Sequence, residues 1–366
     1  MLHITAKRKS TMNPYLTKNK FIKGFFLDQA VENVFSTGMT LEYYKKYEIA
    51  LTEVAERLSL IDTNLALETC DAIKAFQPDM QKIEDFLFVD GLAIPEFVRQ
   101  LKRHAGDKLK DCIHIGATSQ DIMDTALVLA IRDANNIIED RLESLCSVLD
   151  SIIDRFGENV IDGRTRMQKA LLIQANDRII TWKLPLIGYL NRLVEIRTHI
   201  EVAQVGGPVG TRQFPPNLGE MFASEVASSL GLNGTQKAWH TMRSNLTEYA
   251  NFLSMITGSL GKIGLDLSLM SQQGVDEVTF MFSGSSSAMA HKKNPVLPEV
   301  LTSLADFNAV QLPGMHLAML HEQERSGRAW TLEWMILPGM LNTTARALSI
   351  ALTTLGGISH LGKERP

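Results

Sequence analysis

The chain has 366 residues, 45% hydrophobic and 21% charged, so it can bury a large core, and its length allows two or three domains. A net charge of −4 argues against a nucleic-acid protein that works through bulk positive charge. Cys70, Cys112 and Cys146 are too few and too far apart for a disulfide framework and fit a reducing cytoplasm, and no apolar run approaches the ~20 residues that span a bilayer.

From the N-terminus, MLHITAKRKSTMNPYLTKNK is basic but leads only into the short FIKGFFL, too broken for a signal peptide. Residues 1–20 therefore read as a disordered tail, with Met12 a candidate start, ahead of a smaller helical domain ending near residue 110. Proline placement then sets the architecture: none lies between Pro95 and Pro185, or between Pro216 and Pro295. In the first interval Leu127, Ile131, Ala134, Ile138, Leu142, Leu145, Leu149, Ile152 and Phe156 recur at the helical period, predicting one helix from Ser119 to Phe156. Further long helices are expected over about 173–205, kinked at Pro185, over 239–273, from Pro298 to Pro313, and over 330–355. In the 239–273 helix Gly258, Gly261 and Gly264 each cost roughly 1 kcal/mol of helix propensity, which close helix–helix approach would offset. Strand signals are weak. The expectation is an all-α chain with a central bundle of five long helices over 111–350 and a truncated or vestigial C-terminal domain over 351–366. Such helices carry apolar surface on more than one side, which points to a helical homo-oligomer.

Five segments could carry chemistry. In His114-Ile-Gly-Ala-Thr118-Ser119-Gln120-Asp121, Thr118 and Asp121 have capping-box spacing. A helix N-terminus with free N–H groups and two hydroxyls binds carboxylate or phosphate, and His114 could be an acid, a base or a donor. Gly163-Arg164-Thr165-Arg166-Met167-Gln168, placed at the start of another helical region, is a solvated face or a carboxylate fork. Trp239-His240-Thr241-Met242-Arg243 opens a long helix. The run Glu322–Trp330 reads first as a solvated helix end. GSSSAMAHKKNPVLPE, residues 284–299, combines Gly and Ser with Lys292, Asn294 and two prolines, the composition of a mobile loop that closes over an anion. Alone, each is also consistent with ordinary polar structure.

In this order the segments resemble the fumarase/aspartase superfamily, over about residues 25–350. Its signature loop, G-S-x-x-M-x-x-K-x-N, is matched by Ser286, Met289, Lys292 and Asn294, with Ser285 in place of the glycine and Ala290 in place of the usual proline. HIGATSQD resembles the first signature region and GRTRMQ the second. The resemblance implies a homotetramer with a central helical bundle and active sites built from three subunits. QERSGRAWTLEW and HKKNPV resemble most the branch that lactonises 3-carboxy-cis,cis-muconate, a tricarboxylate. Where the lyases carry His, this chain has Arg166, and their partner glutamate matches Glu299. Arginine is never deprotonated in proteins, so Arg166 is no base. Lactonisation needs none, because the nucleophile is the substrate's own ionised carboxylate. The resemblance then implies Ser286 as proton donor, with His114 as a secondary acid. Lys292 and Asn294 hold the carboxylate that becomes enolate-like, Thr118, Ser119 and Gln120 hold a second, and Arg166 and His240 a third, with Glu299 free to pair with Arg166. Two other readings stay open: a fumarate-releasing lyase such as adenylosuccinate lyase, and a catalytically inactive paralogue kept as a structural or binding protein.

Overall fold

The computed structural model describes residues 19–364 apart from 282, 283, 286–288 and 290. Six helices build the N-terminal region: α1 (Lys20–Phe26), α2 (Gln29–Val34), α3 (Thr37–Arg57), α4 (Thr63–Ala75), α5 (Met80–Asp90) and α6 (Ile94–Ala105). The first five start on Asn19, Asp28, Ser36, Asp62 and Asp79, whose side chains accept from first-turn N–H groups, and α6 carries Pro95 in its first turn. The tail expected over residues 1–20 falls outside the described residues up to 18, as does Met12; Lys20 already opens α1.

The long helices are α7 (Ser119–Phe156), α8 (Ala175–Ile200), α10 (Ser244–Met270), α11 (Val296–Ala318) and α12 (Arg328–Gly356), with the short α9 (Gly219–Ser229) between α8 and α10. The fold is all-α, with the five long helices expected from proline spacing and periodicity. α7 packs against α3, α8 and α12, and α10 packs against α8, α11 and α12. One apolar core runs from Val31 to Leu361. Gly261 and Gly264 admit α11: a Cβ at Gly264 would stand 2.4 Å from the Pro298 carbonyl oxygen, and one at Gly261 2.5 Å from Ala305 Cβ. Gly258 has nothing within 4 Å, so its propensity cost is not offset within this chain.

Four expectations are corrected. GRTRMQ does not begin a helix: it closes an antiparallel hairpin of β1 (Val160–Thr165) and β2 (Gln168–Gln174), with Arg166 and Met167 at φ 49° and 66° in the turn. Its turn lacks the Gly or Asn that usually marks such geometry. β3 (Val278–Phe280) and β4 (Ile358–Leu361) form a second small antiparallel pair. Pro313 does not end α11, which continues to Ala318. The expected boundary at residue 350 falls inside α12, whose last turns and β4 close the bundle.

The hairpin, the β3–β4 pair, the end of α10 and the start of α11 share one end of the bundle: Arg164 Nη1 donates to Glu277 Oε1 at 2.7 Å, and Met281 N–H to the Gly357 carbonyl at 2.8 Å. The start of α7, the segment before α10 and the start of α12 share the other end. Along the bundle, exposed apolar stripes remain at Leu184, Ile187 and Val194 on α8, Leu265 and Leu269 on α10, and Phe307, Val310 and Leu317 on α11. Among the described residues no helix is long and apolar enough to cross a membrane.

Candidate active site

At the α7 N-terminal end His114 stands at φ 60°, and Glu48, wholly buried on α3, grips it twice. His114 Nδ1 lies 2.6 Å from Glu48 Oε1, and its backbone N–H donates to Oε2 at 2.8 Å. Burial pulls the imidazole pKa down, but the charge and hydrogen bond of Glu48 prevail and hold it above the ordinary histidine value. Because Glu48 occupies Nδ1, Nε2 is the ring nitrogen left to meet a ligand.

Asp121 organises the turn behind. It accepts from Thr118 N–H at 3.0 Å, the reciprocal half of a capping box, from the N–H groups of Gly206 and Gly207 at 3.0 and 2.9 Å, and lies 2.7 Å from His240 Nε2. His240 is thereby buried, its Nδ1 lacking a hydrogen-bond partner. Gln120 is also fully buried, donating to Asp124 at 3.2 Å and to the His240 carbonyl at 3.0 Å. Both were expected to bind carboxylates; in this chain they sit behind the surface, held by their own partners. Thr118 and Ser119 do lie at the helix mouth, where the Ser119 hydroxyl makes no hydrogen bond among the described residues.

Reading the Glu322–Trp330 run as a solvated helix end missed one residue. Arg325 donates to Thr118 Oγ1 at 2.8 Å and, through Nε, to Gln120 Oε1 at 3.3 Å, setting a guanidinium over the α7 N-terminus. Helix dipole, first-turn N–H groups, the Ser119 hydroxyl, Arg325 and His114 thus share one end of the bundle, a combination that could receive a carboxylate. Below it Arg243, fully buried, forks onto Asp124 at 2.7 and 3.1 Å and onto Glu333 at 2.9 and 2.5 Å. Burial would raise the Asp124 pKa, yet the guanidinium holds it below the usual carboxylate range. Trp330 Nε1 donates to the same carboxylate at 2.9 Å. Arg325 could have been singled out from its charge run; Glu48, 66 positions before His114, carries no local signal.

The remaining candidates lie at the opposite end. Gly284 and Asn294 exchange backbone hydrogen bonds at 3.0 and 2.9 Å, pinching the base of the 284–299 loop, and a Cβ at Gly284 would stand 2.5 Å from Val296 Cγ2. Lys292 is exposed, its N–H bonded to the Met289 carbonyl at 3.1 Å, and Glu299 is exposed in the first turn of α11. Ser286 lies outside the described residues. Arg166, at the hairpin turn, lines a 720 Å³ cleft with Arg164, Arg178, Lys262 and Asp266, and makes no ion pair with Glu299 among the described residues. The loop base packs near Thr353 and Thr354, and the stretch of α12 from Trp330 to Thr354 is about 36 Å long. One chain therefore keeps His114, Thr118, Ser119 and Arg325 well apart from Arg166, Lys292, Asn294 and Glu299. Among the described residues no cluster of three or more His, Cys, Asp or Glu is placed to hold a metal.

The lyase family's sequence pattern matches residues 33–307. The chain is 32% identical over 342 residues to 3-carboxy-cis,cis-muconate cycloisomerase of Acinetobacter baylyi, covering 91% of this chain and 76% of that relative. It superposes with a TM-score of 0.87 on the 3-carboxy-cis,cis-muconate lactonizing enzyme of Pseudomonas putida, at 30% identity over 93% of this chain and 77% of that one. A fumarate lyase from Mesorhizobium sp. BNC1 matches with a TM-score of 0.86 at 30% identity, over 92% of this chain and 76% of its own. With motif order, helical bundle and these similarities in agreement, the chain belongs to the lyase family of the fumarase/aspartase superfamily.

Proposed function

We propose that the protein is a cycloisomerase that lactonises 3-carboxy-cis,cis-muconate in the breakdown of protocatechuate. The observation that carries this reading is Arg166 at the hairpin tip, where the superfamily's lyases carry a histidine. A permanent cation there binds a carboxylate and cannot take a proton, which suits a reaction whose nucleophile is ionised from the start. The similar cycloisomerases support the same reading. One carboxylate oxygen forms the new C–O bond, the double-bond electrons move toward the neighbouring carboxylate, and a proton is delivered to the α carbon. Thr118, Ser119 and Arg325 hold one carboxylate, Arg166 another, and Lys292 and Asn294 the one that gains enolate character. Ser286 gives the proton, with His114, whose pKa Glu48 raises, as the second acid.

The separation of the two residue sets along the bundle supports a site completed by other copies of the chain. Apolar stripes on α8, α10 and α11 supply surfaces for them. We place the protein as a cytoplasmic homotetramer with sites shared among three chains.

The likeness to a fumarate lyase sustains a second reading, a fumarate-releasing lyase. The full-length protein is tested with 3-carboxy-cis,cis-muconate, following loss of diene absorbance, and with adenylosuccinate, following fumarate. Loss of the diene is expected. Fumarate release without it selects the lyase, and activity on neither leaves a binding protein.

A further inference from the structure

A cleft of 490 Å³ opens between the α5–α6 turn, at Asp90–Leu92, and the first turns of α12, with Arg325 in its wall. We propose that it is a subsite for the planar, conjugated carbon skeleton of a polycarboxylate, and that Trp334 is the residue that selects such a skeleton over a saturated one. The inference rests on the reading of Arg325 as a carboxylate ligand.

Three observations converge on the cleft. Trp330 is buried and fixed by its hydrogen bond to Asp124, and the half-buried Trp334 ring stands edge-on to it, centroids 4.7 Å apart at 66°. The wall is therefore rigid and aromatic, and such surfaces favour flat π-systems over flexible chains. Next, the acid in the lining is already matched: Asp90 accepts from Arg99 Nη2 at 2.6 Å and presents little net repulsion to an anion. Finally, Arg325 is the one cation among the described lining residues, and it bridges to Thr118 Oγ1 at 2.8 Å. A carboxylate seated on Arg325 and the α7 N-terminus leaves its carbon skeleton over the indoles. A single guanidinium already shared with Thr118 and Gln120 is a poor match for a phosphate, so the cleft suits a small carboxylate rather than a nucleotide.

The test is calorimetric binding to the full-length protein at about pH 8, where two probes carry equal charge: trimellitate, a flat aromatic tricarboxylate, and tricarballylate, its saturated counterpart. Trimellitate is expected to bind about tenfold more tightly. In Trp334→Ala that ratio falls to near one with tricarballylate affinity unchanged, and Trp334→Phe, which keeps a ring and guards against a folding defect, retains most of it. Equal binding of the two probes by the native protein, or an unchanged ratio in Trp334→Ala, overturns the proposal. So does adenosine monophosphate binding that depends on Trp334. Diene turnover measured on the same samples separates the two claims. Discrimination without turnover keeps the subsite and removes lactonisation, and turnover without discrimination does the reverse.

Discussion

The residue that most changes the chemistry expected at the α7 mouth is Glu48. It converts His114 from an isolated imidazole into one half of a buried pair and leaves Nε2 as the ring nitrogen open to a ligand. Since the folded pKa of His114 is raised, the pairing stabilises the fold fully below the unfolded value near 6.5 and fades as pH rises through the folded value. Glu48→Gln removes the cause of the rise and leaves burial, which acts in the opposite sense. The His114 ring titration followed by NMR should then move to lower pH, and the alkaline fall of turnover should move with it if His114 donates a proton. A titration midpoint that stays in place would show that Glu48 does not govern His114. None of this was legible around His114 itself, because two charges 66 positions apart meet only when α3 packs on α7.

At the scale of elements, the helices were readable and their interruptions were not. The α7 boundaries follow from period and capping alone, since a 38-residue helix repeats its buried stripe too many times to be mistaken. Pro313 in α11 misled, because packing against α10 and α12 holds the helix together across the one hydrogen bond that a proline forfeits. The three glycines of α10 give a direct comparison. Gly264→Ala drives a methyl group into the Pro298 carbonyl and the Leu301 side chain and should destabilise by about 1–3 kcal/mol. Gly258→Ala meets nothing within 4 Å and should stabilise by roughly 0.5–1 kcal/mol. Denaturant midpoints of the two variants check the contrast; Gly258→Ala proving the more harmful would mean that another chain packs there.

Across the whole molecule, the candidate residues fall into two sets at opposite ends of a bundle whose longest helix is about 57 Å long. If sites are completed between chains, an Arg325→Ala chain and a Lys292→Ala chain, each inactive alone, should regain part of the activity when co-expressed, because some sites in the mixed assembly inherit both intact residues. Activity no greater than the sum of the separate variants would place the whole site in one chain. By itself the sequence determined the all-α bundle, its five long helices, the capped helix start at Thr118 and Ser119 and the superfamily, because those depend on local periodicity and on contiguous motifs. Only the tertiary structure decided that GRTRMQ is a hairpin turn, that Gln120 and His240 lie behind the site, that Arg325 stands in front of it and that Glu48 backs His114. Each of those depends on which distant side chains packing brings within hydrogen-bond reach, and spacing along the chain does not encode that.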